Sequence, residues 1–267
     1  MSLLKQNVLK RNIEYIIFFI LLIILAILIT KRSLEGFFTE QNGINRLDAI
    51  IYINLENRED RKKLLLKELE TLNTNMEKVH KVSGVYMPKN GHKGCVQSHI
   101  LALNMIKLNK WKYTLILEDD AQLDTDPDTF NNIINIVLDT LDTHDPNWNV
   151  IMLATAYKNI DTVNTALLQE NILEIYDIDG KLQPIKLEKL KSATTSSAYI
   201  VKQNYVDEIL NLFKTCNNNM KHNAMSGNKY EYWALDQKWA SLQAKDNWYA
   251  LSPDPIKQRQ IWSSINN

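Results

Sequence analysis

Three consecutive carboxylates, Glu118, Asp119 and Asp120, are the residues whose type and spacing point most directly to chemistry. They follow residues 113–117 (YTLIL), an apolar segment that predicts a buried strand. Alternate residues of an extended segment point the same way, so Glu118 and Asp120 can share one cation while Asp119 faces elsewhere. Carboxylate oxygens suit Mn²⁺ or Mg²⁺, which also take substrate phosphates as ligands. The alternative is a solvated strand end that caps the following helix.

A second group of candidates lies where the first predicted strand meets its helix. Asn54, Arg58 and Arg61 occupy the end of that strand and the first helical turn. A helix N-terminus with arginine side chains is a natural site for a nucleotide or phosphate. The alternative is that the two arginines form surface ion pairs with Glu59 or Glu68.

A third group opens the helix that precedes the acidic strand. Ser98 could form a hydrogen bond with a nucleotide or with a metal-bound water, because its helix is expected to pack beside the acidic strand. His99 either contacts substrate or has a structural role. Cys95 follows Gly94, which indicates close backbone contact, and we expect Cys95 to be a small packed residue.

The elements that must position these residues alternate between strands and helices, which predicts an α/β fold with a mostly parallel sheet. Strands are predicted at 49–55, 78–82, 113–117, 149–153, 197–201 and 248–251, with a hairpin at 172–185. Helices are predicted at 58–72, 96–108, 127–141, 203–215 and 232–243. Ligands of open α/β sheets bind beyond the carboxyl ends of the strands, which is where the acidic triplet lies.

The N-terminal region is different in character. Residues 15–30 are almost all apolar and have Lys and Arg on both sides, which predicts one transmembrane helix. Residues 1–47 would then be a tail, anchor and stem, and 48–267 the globular domain. We expect a single-pass membrane protein whose C-terminal domain is lumenal or otherwise membrane-associated. The alternative is a cleaved signal peptide.

Net charge and cysteine content bear on the possible partners of the protein and on disulfide formation. The chain has 267 residues and zero formal net charge, which gives no support for a nucleic-acid partner. Its two cysteines, Cys95 and Cys216, could form one disulfide or remain ordinary thiols.

Several segments, in order along the chain, resemble motifs of glycosyltransferase family 25, which includes lipooligosaccharide and procollagen galactosyltransferases. The strand followed by Glu-Asp-Asp resembles the DxD-type motif of enzymes with the GT-A fold. The other matching segments are residues 52–55 (YINL) with Arg58, Asp60 and Arg61, residues 94–99 (GCVQSH), residues 195–201 (TSSAYIV), residues 234–237 (ALDQ) and residues 255–264. The resemblance implies a Rossmann-type nucleotide-diphospho-sugar transferase domain with a mixed sheet.

The same resemblance implies an activity. A hexose, galactose or glucose, would pass with inversion from a UDP-sugar to a glycan or a hydroxylated protein side chain. Glu118 and Asp120 would hold Mn²⁺ or Mg²⁺. The nucleotide would be bound by Asn54, Arg58, Arg61, Ser98 and Asp119.

Inversion requires a base to take the proton of the acceptor hydroxyl, and the resemblance implies Asp236 for this role. Glu231 is its rival, and Asp236 could instead bind metal or acceptor, or lie on a helix surface near Lys238. Tryptophans 233, 239 and 248 could stack on a sugar ring or belong to the core.

Two other readings of the chain remain open. One is an inactive, membrane-tethered family member that acts as a binding or scaffold subunit. The other is a nucleotidyltransferase, which also uses acidic strand ends.

Overall fold

A computed structural model of the chain describes residues 43–162, 173–176, 182–220 and 231–260, together with Ile20 and Ile23. The rest of the predicted anchor, residues 15–30, lies outside the described residues. Within the part of the chain that is described, no helix combines the length and apolar character needed to cross a membrane.

The described elements follow the predicted alternation of strands and helices. The strands are β1 (Ala49–Asn54), β2 (Val79–Ser83), β3 (Tyr113–Glu118), β4 (Ala121–Leu123), β5 (Val150–Met152), β6 (Ala156–Ile160), β7 (Leu173–Tyr176), β8 (Leu182–Thr194), β9 (Ala198–Lys202), β10 (Trp248–Ser252) and β11 (Ile256–Gln258). The helices are α1 (Glu59–Thr71), α2 (Gly91–Asn109), α3 (Pro127–His144), α4 (Val206–Asn219), α5 (Leu235–Lys238) and α6 (Ala240–Gln243).

The fold is mixed α/β, built on one central sheet. Among the described residues its order is β2-β1-β3-β9-β5-β10-β8-β6, with β7 paired to β8. Strands β2, β1, β3, β5 and β10 run in one direction, whereas β9 and β8 run in the other. A separate pair, β4 with β11, is antiparallel. The sheet is therefore mainly parallel in its first strands and mixed beyond them.

Helices cover both faces of the sheet, which explains why the strands read as unbroken apolar runs. Ile50 of β1 packs in one core with Leu65 of α1 and Phe130 of α3. Its neighbour Ile51 packs in the opposite core with Leu103 of α2. Because successive strand residues point to opposite faces, burial on both faces removes the polar alternation of a half-exposed strand.

The predicted stem ends earlier than residue 47. A 3₁₀ turn at Gly43–Arg46 lies on the folded unit, and Ile44 and Leu47 are fully buried. The backbone N–H of Ile44 donates to Asn131 Oδ1 of α3 at 3.0 Å. These residues therefore belong to the core rather than to a linker.

Some local predictions differ from the structure. The helix predicted at 96–108 begins earlier, at Gly91, and its N-cap Asn90 accepts a hydrogen bond from the backbone of Lys93 at 3.0 Å. The helix predicted at 203–215 is a 3₁₀ turn at Gln203–Tyr205 followed by α4, which continues to Asn219. The predicted helix 232–243 is instead a 3₁₀ turn followed by α5 and α6. The connection within the predicted hairpin at 172–185, residues 177–181, lies outside the described residues.

Four strand ends, those of β1, β2, β3 and β9, meet at one edge of the sheet. The Glu118 backbone N–H donates to the carbonyl of Ser197, just before β9, at 2.8 Å. Gly84 N–H, just after β2, donates to the carbonyl of Asn54 at 2.9 Å. Because β9 is antiparallel to β3, its amino end joins the carboxyl ends of β1 and β3.

Candidate active site

The acidic triplet lies at the edge of the sheet where the carboxyl ends of β1 and β3 meet. A cleft opens there, and Glu118, Asp119 and Asp120 form part of its wall. The other residues that line it come from β1, α1, α2, the β2–α2 connection and the C-terminal segment: Ile53, Leu55, Arg61, Gly84, Val85, Tyr86, Met87, Gly91, Cys95, Ser98, His99 and Gln258. The triplet thus lies in the wall of a cleft and is not a fully solvated strand end.

Asp119 is held by two of the residues predicted to bind the nucleotide. Its Oδ2 accepts from Asn54 Nδ2 at 2.9 Å, and its Oδ1 accepts from Arg61 Nη1 at 2.9 Å. All three side chains are buried. The structure therefore brings Asn54, Arg61 and Asp119 together as one buried group.

Asp120 is bound through only one of its oxygens. Oδ2 accepts from Gln258 Nε2 at 3.2 Å and lies 3.4 Å from Arg61 Nη1. Oδ1 is buried and has no hydrogen-bond partner within the described parts of the chain. Burial, and then the negative charge of Glu118, raise the pKa of Asp120 to about 7. One oxygen of the Asp120 carboxylate therefore has no partner in the described parts of the chain, and nearby positive charge does not fully offset its negative charge.

Glu118 is held from the side of the sheet opposite α1. Its Oε1 lies 3.1 Å from His99 Nε2 and 3.9 Å from Cys95 Sγ, and it accepts a hydrogen bond from Ser196 Oγ. Burial acts to raise the pKa of Glu118, but the bonds from His99 and Ser196 outweigh it and the pKa lies below its usual value. The contacts to Oε1 thus favour the ionised form of Glu118.

Two other predicted nucleotide ligands are engaged by the protein itself. Ser98 Oγ accepts from Val85 N–H and donates to the Gly94 carbonyl, each at 2.8 Å, so it fastens the β2–α2 connection to α2. Arg58 Nη2 pairs with Asp60 at 2.9 Å, and this arginine does not line the cleft. Arg58 thus forms a local ion pair, as in the alternative interpretation, but its partner is Asp60 rather than Glu59 or Glu68.

Asp236 lies in the first turn of α5, and its Oδ2 accepts from the backbone N–H of Thr195 at 3.2 Å. Burial raises the pKa of Asp236, and the negative charge of Glu118 adds to this effect. The two carboxylates are therefore within electrostatic reach of each other. The side chain of the rival, Glu231, lies outside the described residues.

The remaining candidates have structural contacts. His99 is fully buried, and Trp239 and Trp248 are core residues, which excludes these two tryptophans from stacking on a sugar. Cys95 and Cys216 are free thiols, so the possible disulfide is absent.

Sequence reasoning missed several residues of the site. Ser196 lay within the recognised TSSAYIV segment, but no role was assigned to its hydroxyl. Gln258 lay in the recognised C-terminal segment and reaches Asp120 only because β11 pairs with β4. Tyr199 reads as a core strand residue, and its hydroxyl lies 3.0 Å from His99 Nδ1.

Within the described residues, two sets of side chains offer donor atoms for a metal ion. Cys95, His99 and Glu118 each offer an atom, and these atoms lie within 4.8 Å of one another. However, His99 Nε2 and Glu118 Oε1 already bond to each other. Glu118 with Asp120 is an all-oxygen pair with a buried, unpartnered Oδ1, which is the donor chemistry that Mn²⁺ or Mg²⁺ prefers.

Comparison with solved structures finds distant likenesses. The protein A197 from STIV has a TM-score of 0.40 at 10% identity, over 82% of this chain and 87% of that one. A mannose-1-phosphate geranyltransferase from Thermus thermophilus has a TM-score of 0.39 at 11% identity, over 82% and 76%. A glycosyltransferase involved in glycosylation of the major capsid of PBCV-1 has a TM-score of 0.38 at 10% identity, over 76% and 80%. No curated protein matches the sequence.

The sequence itself matches a family model. The match covers residues 80–225, more than half of the chain, and the model is described as glycosyltransferase family 25 (LPS biosynthesis protein). The matched range contains the Gly-Cys-Val-Gln-Ser-His segment, the acidic triplet and β9. The chain therefore belongs to glycosyltransferase family 25 and is a glycosyltransferase.

Proposed function

We propose that this glycosyltransferase has a GT-A-like domain and moves a hexose, galactose or glucose, from a UDP-sugar with the help of a divalent cation. One observation carries the proposal: Asp120 Oδ1 is buried without a partner among the described residues, beside the ionised Glu118 at the wall of the cleft. An arrangement of this kind is costly unless a cation completes it.

Glu118 and Asp120 are the residues that would hold Mn²⁺ or Mg²⁺. When bound, the ion would neutralise charge on the diphosphate leaving group. Arg61 and Asn54 fix Asp119 behind the pair, which keeps the triplet in place without the donor. Asn54 Oδ1 is also buried without a partner in the described part of the chain and remains available to the nucleotide.

The cleft has an apolar part beside its acidic wall. Ile53, Leu55, Val85, Tyr86 and Met87 line it together, and Tyr86 is 61% exposed. Pockets that combine apolar walls with a few fixed polar groups suit a planar nucleobase. We assign this part to the base of the nucleotide. In this arrangement Ser98 acts indirectly, because it holds Val85 in the wall.

Asp236 is the proposed base of an inverting transfer. Its raised pKa suits a carboxylate that must take a proton from an acceptor hydroxyl on a glycan or on a hydroxylated protein side chain. We further propose that residues 15–30 anchor the enzyme in a membrane, with the catalytic domain lumenal or otherwise membrane-associated. This rests on the apolar run and its basic flanks.

The first test is Asp120→Ala. We expect a folded protein whose Mn²⁺-dependent turnover of UDP-sugars falls by more than about 100-fold, since loss of outer-sphere partners alone costs about 10- to 100-fold. UDP release would be measured over a panel of UDP-sugars, with and without Mn²⁺. Asp128→Ala, an exposed carboxylate in the first turn of α3, is the matched control and should retain wild-type turnover.

Three outcomes would contradict the proposal. Normal metal-dependent turnover by Asp120→Ala would remove the metal assignment. Absence of thermal stabilisation of the wild type by UDP, with or without Mn²⁺, would support an inactive scaffold subunit. Release of pyrophosphate in place of UDP would indicate nucleotidyl transfer.

A further inference from the structure

All hydrogen bonds to the Glu118 carboxylate in the described parts of the chain fall on one of its two oxygens. His99 Nε2 and Ser196 Oγ both contact Oε1, and the thiol of Cys95 approaches the same atom. A carboxylate oxygen has about two lone-pair directions. Oε1 is therefore saturated by the protein, and Oε2 is the oxygen left for a ligand.

The contact from His99 is itself fixed by a second residue. Its ring lies between Glu118 Oε1, at 3.1 Å from Nε2, and the Tyr199 hydroxyl, at 3.0 Å from Nδ1. An ionised carboxylate only accepts, so Nε2 must carry the hydrogen of this bond. The other ring nitrogen, Nδ1, bonds to the Tyr199 hydroxyl. Tyr199, His99 and Glu118 form a continuous chain of hydrogen bonds.

This chain is rigid because each member belongs to a packed element. Tyr199 lies in β9 and His99 in α2, and both are fully buried. The two rings stack with centroids 5.8 Å apart, and Trp239 packs edge-on against Tyr199. The hydroxyl of Tyr199 is the polar end of an otherwise apolar core side chain. Its only bond in the described structure leads to the Glu118 side of the cleft.

We propose that His99 and Tyr199 are positioning residues that fix the Glu118 carboxylate so that Oε2 faces the divalent cation. This rests on the proposed function. Outer partners of this kind set the orientation of a metal ligand, and their loss costs about 10- to 100-fold in metal affinity or activity. His99 thus acts through Glu118 and does not touch the substrate.

The test compares variants that keep the shape of the core. Tyr199→Phe removes only the hydroxyl, and we expect its Mn²⁺ affinity in the presence of UDP to fall by about tenfold. His99→Gln keeps an N–H donor and should retain more affinity than His99→Leu, which has none. Affinities would be measured by isothermal titration calorimetry, and donor kcat and KM would be measured at saturating Mn²⁺.

Tyr205→Phe is the matched control. Tyr205 is also a buried core tyrosine, but its hydroxyl bonds to Asp246 and Trp248, away from the cleft. The Tyr205→Phe variant should have a lower Tm but an unchanged Mn²⁺ affinity. The comparison therefore distinguishes the loss of any buried hydroxyl from the loss of a hydroxyl that positions Glu118. If His99→Leu does not fold, Ser196→Ala replaces it, because this change also removes a donor to Oε1.

The outcomes distinguish this inference from the proposed function. A wild type that binds no Mn²⁺ in the presence of UDP overturns the proposed function and this inference with it. Wild-type binding combined with unchanged affinity in Tyr199→Phe overturns the positioning role alone. A lower affinity in Tyr199→Phe, with His99→Gln closer to wild type than His99→Leu, supports it.

Discussion

At the scale of single residues, the arginine at position 61 is the main counter-ion of the acidic triplet. Its guanidinium contacts Asp119 at 2.9 Å and Asp120 at 3.4 Å, and its side chain is 7% exposed. Buried ion pairs of this type contribute little net stability, but removal of one partner leaves charges without compensation. The cost of losing Arg61 should therefore greatly exceed that of losing a surface arginine.

We predict that Arg61→Ala lowers the free energy of unfolding by about 3 to 5 kcal/mol. Arg58→Ala is the control, because its partner Asp60 is 61% exposed and such pairs contribute about 1 kcal/mol or less. Urea denaturation of both variants at neutral pH measures the difference. Equal losses in the two variants would show that Arg61 does not compensate buried charge.

The raised pKa of Asp236 gives a prediction about pH. A base acts only when deprotonated, so the acid limb of kcat/KM should lie above the usual range of an aspartate. Because the folded state holds this proton to higher pH than the unfolded chain, the group contributes stability at low pH. That contribution is lost as pH rises through the folded pKa.

Asp236→Asn should abolish transfer and remove this part of the pH dependence of stability. The measurements are a pH–rate profile of the wild type and urea denaturation of both proteins from about pH 4, near the ordinary aspartate pKa, to about pH 8. An acid limb at the ordinary aspartate pKa, or an active Asp236→Asn, would exclude Asp236 as the base.

Sequence reasoning identified most of the carboxylates in the site but not the contacts that hold them. Glu118, Asp119 and Asp120 stand out because they end a core strand. The sequence does not show that Ser98 is engaged by Val85, thirteen positions earlier, or that Arg58 pairs locally with Asp60. These bonds depend on the path of the β2–α2 connection, which no periodic pattern encodes.

At the scale of elements, predictions succeeded where burial dictates a pattern. The apolar runs of β1 and β3 and the amphipathic spacing of α3 are visible because each element buries a defined surface. The short strands β4 and β11 were missed, since three residues cannot show a period. The reversed direction of β9 also leaves no local signal, because pairing is decided by tertiary contacts.

The contact between α2 and the β2–α2 connection allows a prediction at this scale. A Cβ at Gly94 would lie 2.4 Å from the carbonyl oxygen of Val85, so Gly94→Ala must displace backbone that lines the cleft. We expect a loss of about 1 to 3 kcal/mol in stability together with weaker UDP binding. Denaturation and calorimetric titration with UDP measure the two effects.

Gly84→Ala is the matched control. Its Cβ would meet the flexible end of Leu55 first, at 3.1 Å, so the wall of the cleft can adjust at lower cost. If Gly94→Ala bound UDP as tightly as the wild type, the close approach to Val85 would not shape the cleft.

At the scale of the whole molecule, the folded unit includes residues that the sequence assigned to the stem. Ile44 and Leu47 are buried in the same core as β1 and α3, and the Asn45 side chain donates to the Asn73 carbonyl at 2.9 Å. The charge and the apolar run of the first thirty residues predict an anchor followed by a stem, and the predicted start of the domain is therefore placed after residue 47. Ile44 and Leu47 are two isolated apolar residues in a polar segment, so no sequence pattern predicts their burial.

We predict that a chain that begins at Asp48 is less stable than one that begins at Gly43 by about 3 to 6 kcal/mol. This is the value of two fully buried aliphatic side chains at about 1.5 to 3 kcal/mol each. Thermal unfolding of the two chains measures it, and equal stabilities would contradict it. Fractionation of the full chain against the Gly43 chain tests the proposed anchor, since only the former should pellet with membranes.

The C-terminal segment is far from the acidic triplet in sequence but contacts it in the folded structure. The backbone N–H of Arg259 donates to the Asp120 carbonyl at 2.7 Å, while its guanidinium pairs with Glu68 of α1 at 2.7 Å. With Gln258 it ties the acidic turn to elements synthesised far earlier. During translation, these contacts can form only after residues 258 and 259 have left the ribosome, long after the triplet itself. A chain truncated before residue 256 would contain the strands of the central sheet. It would lack the C-terminal contacts to the acidic triplet.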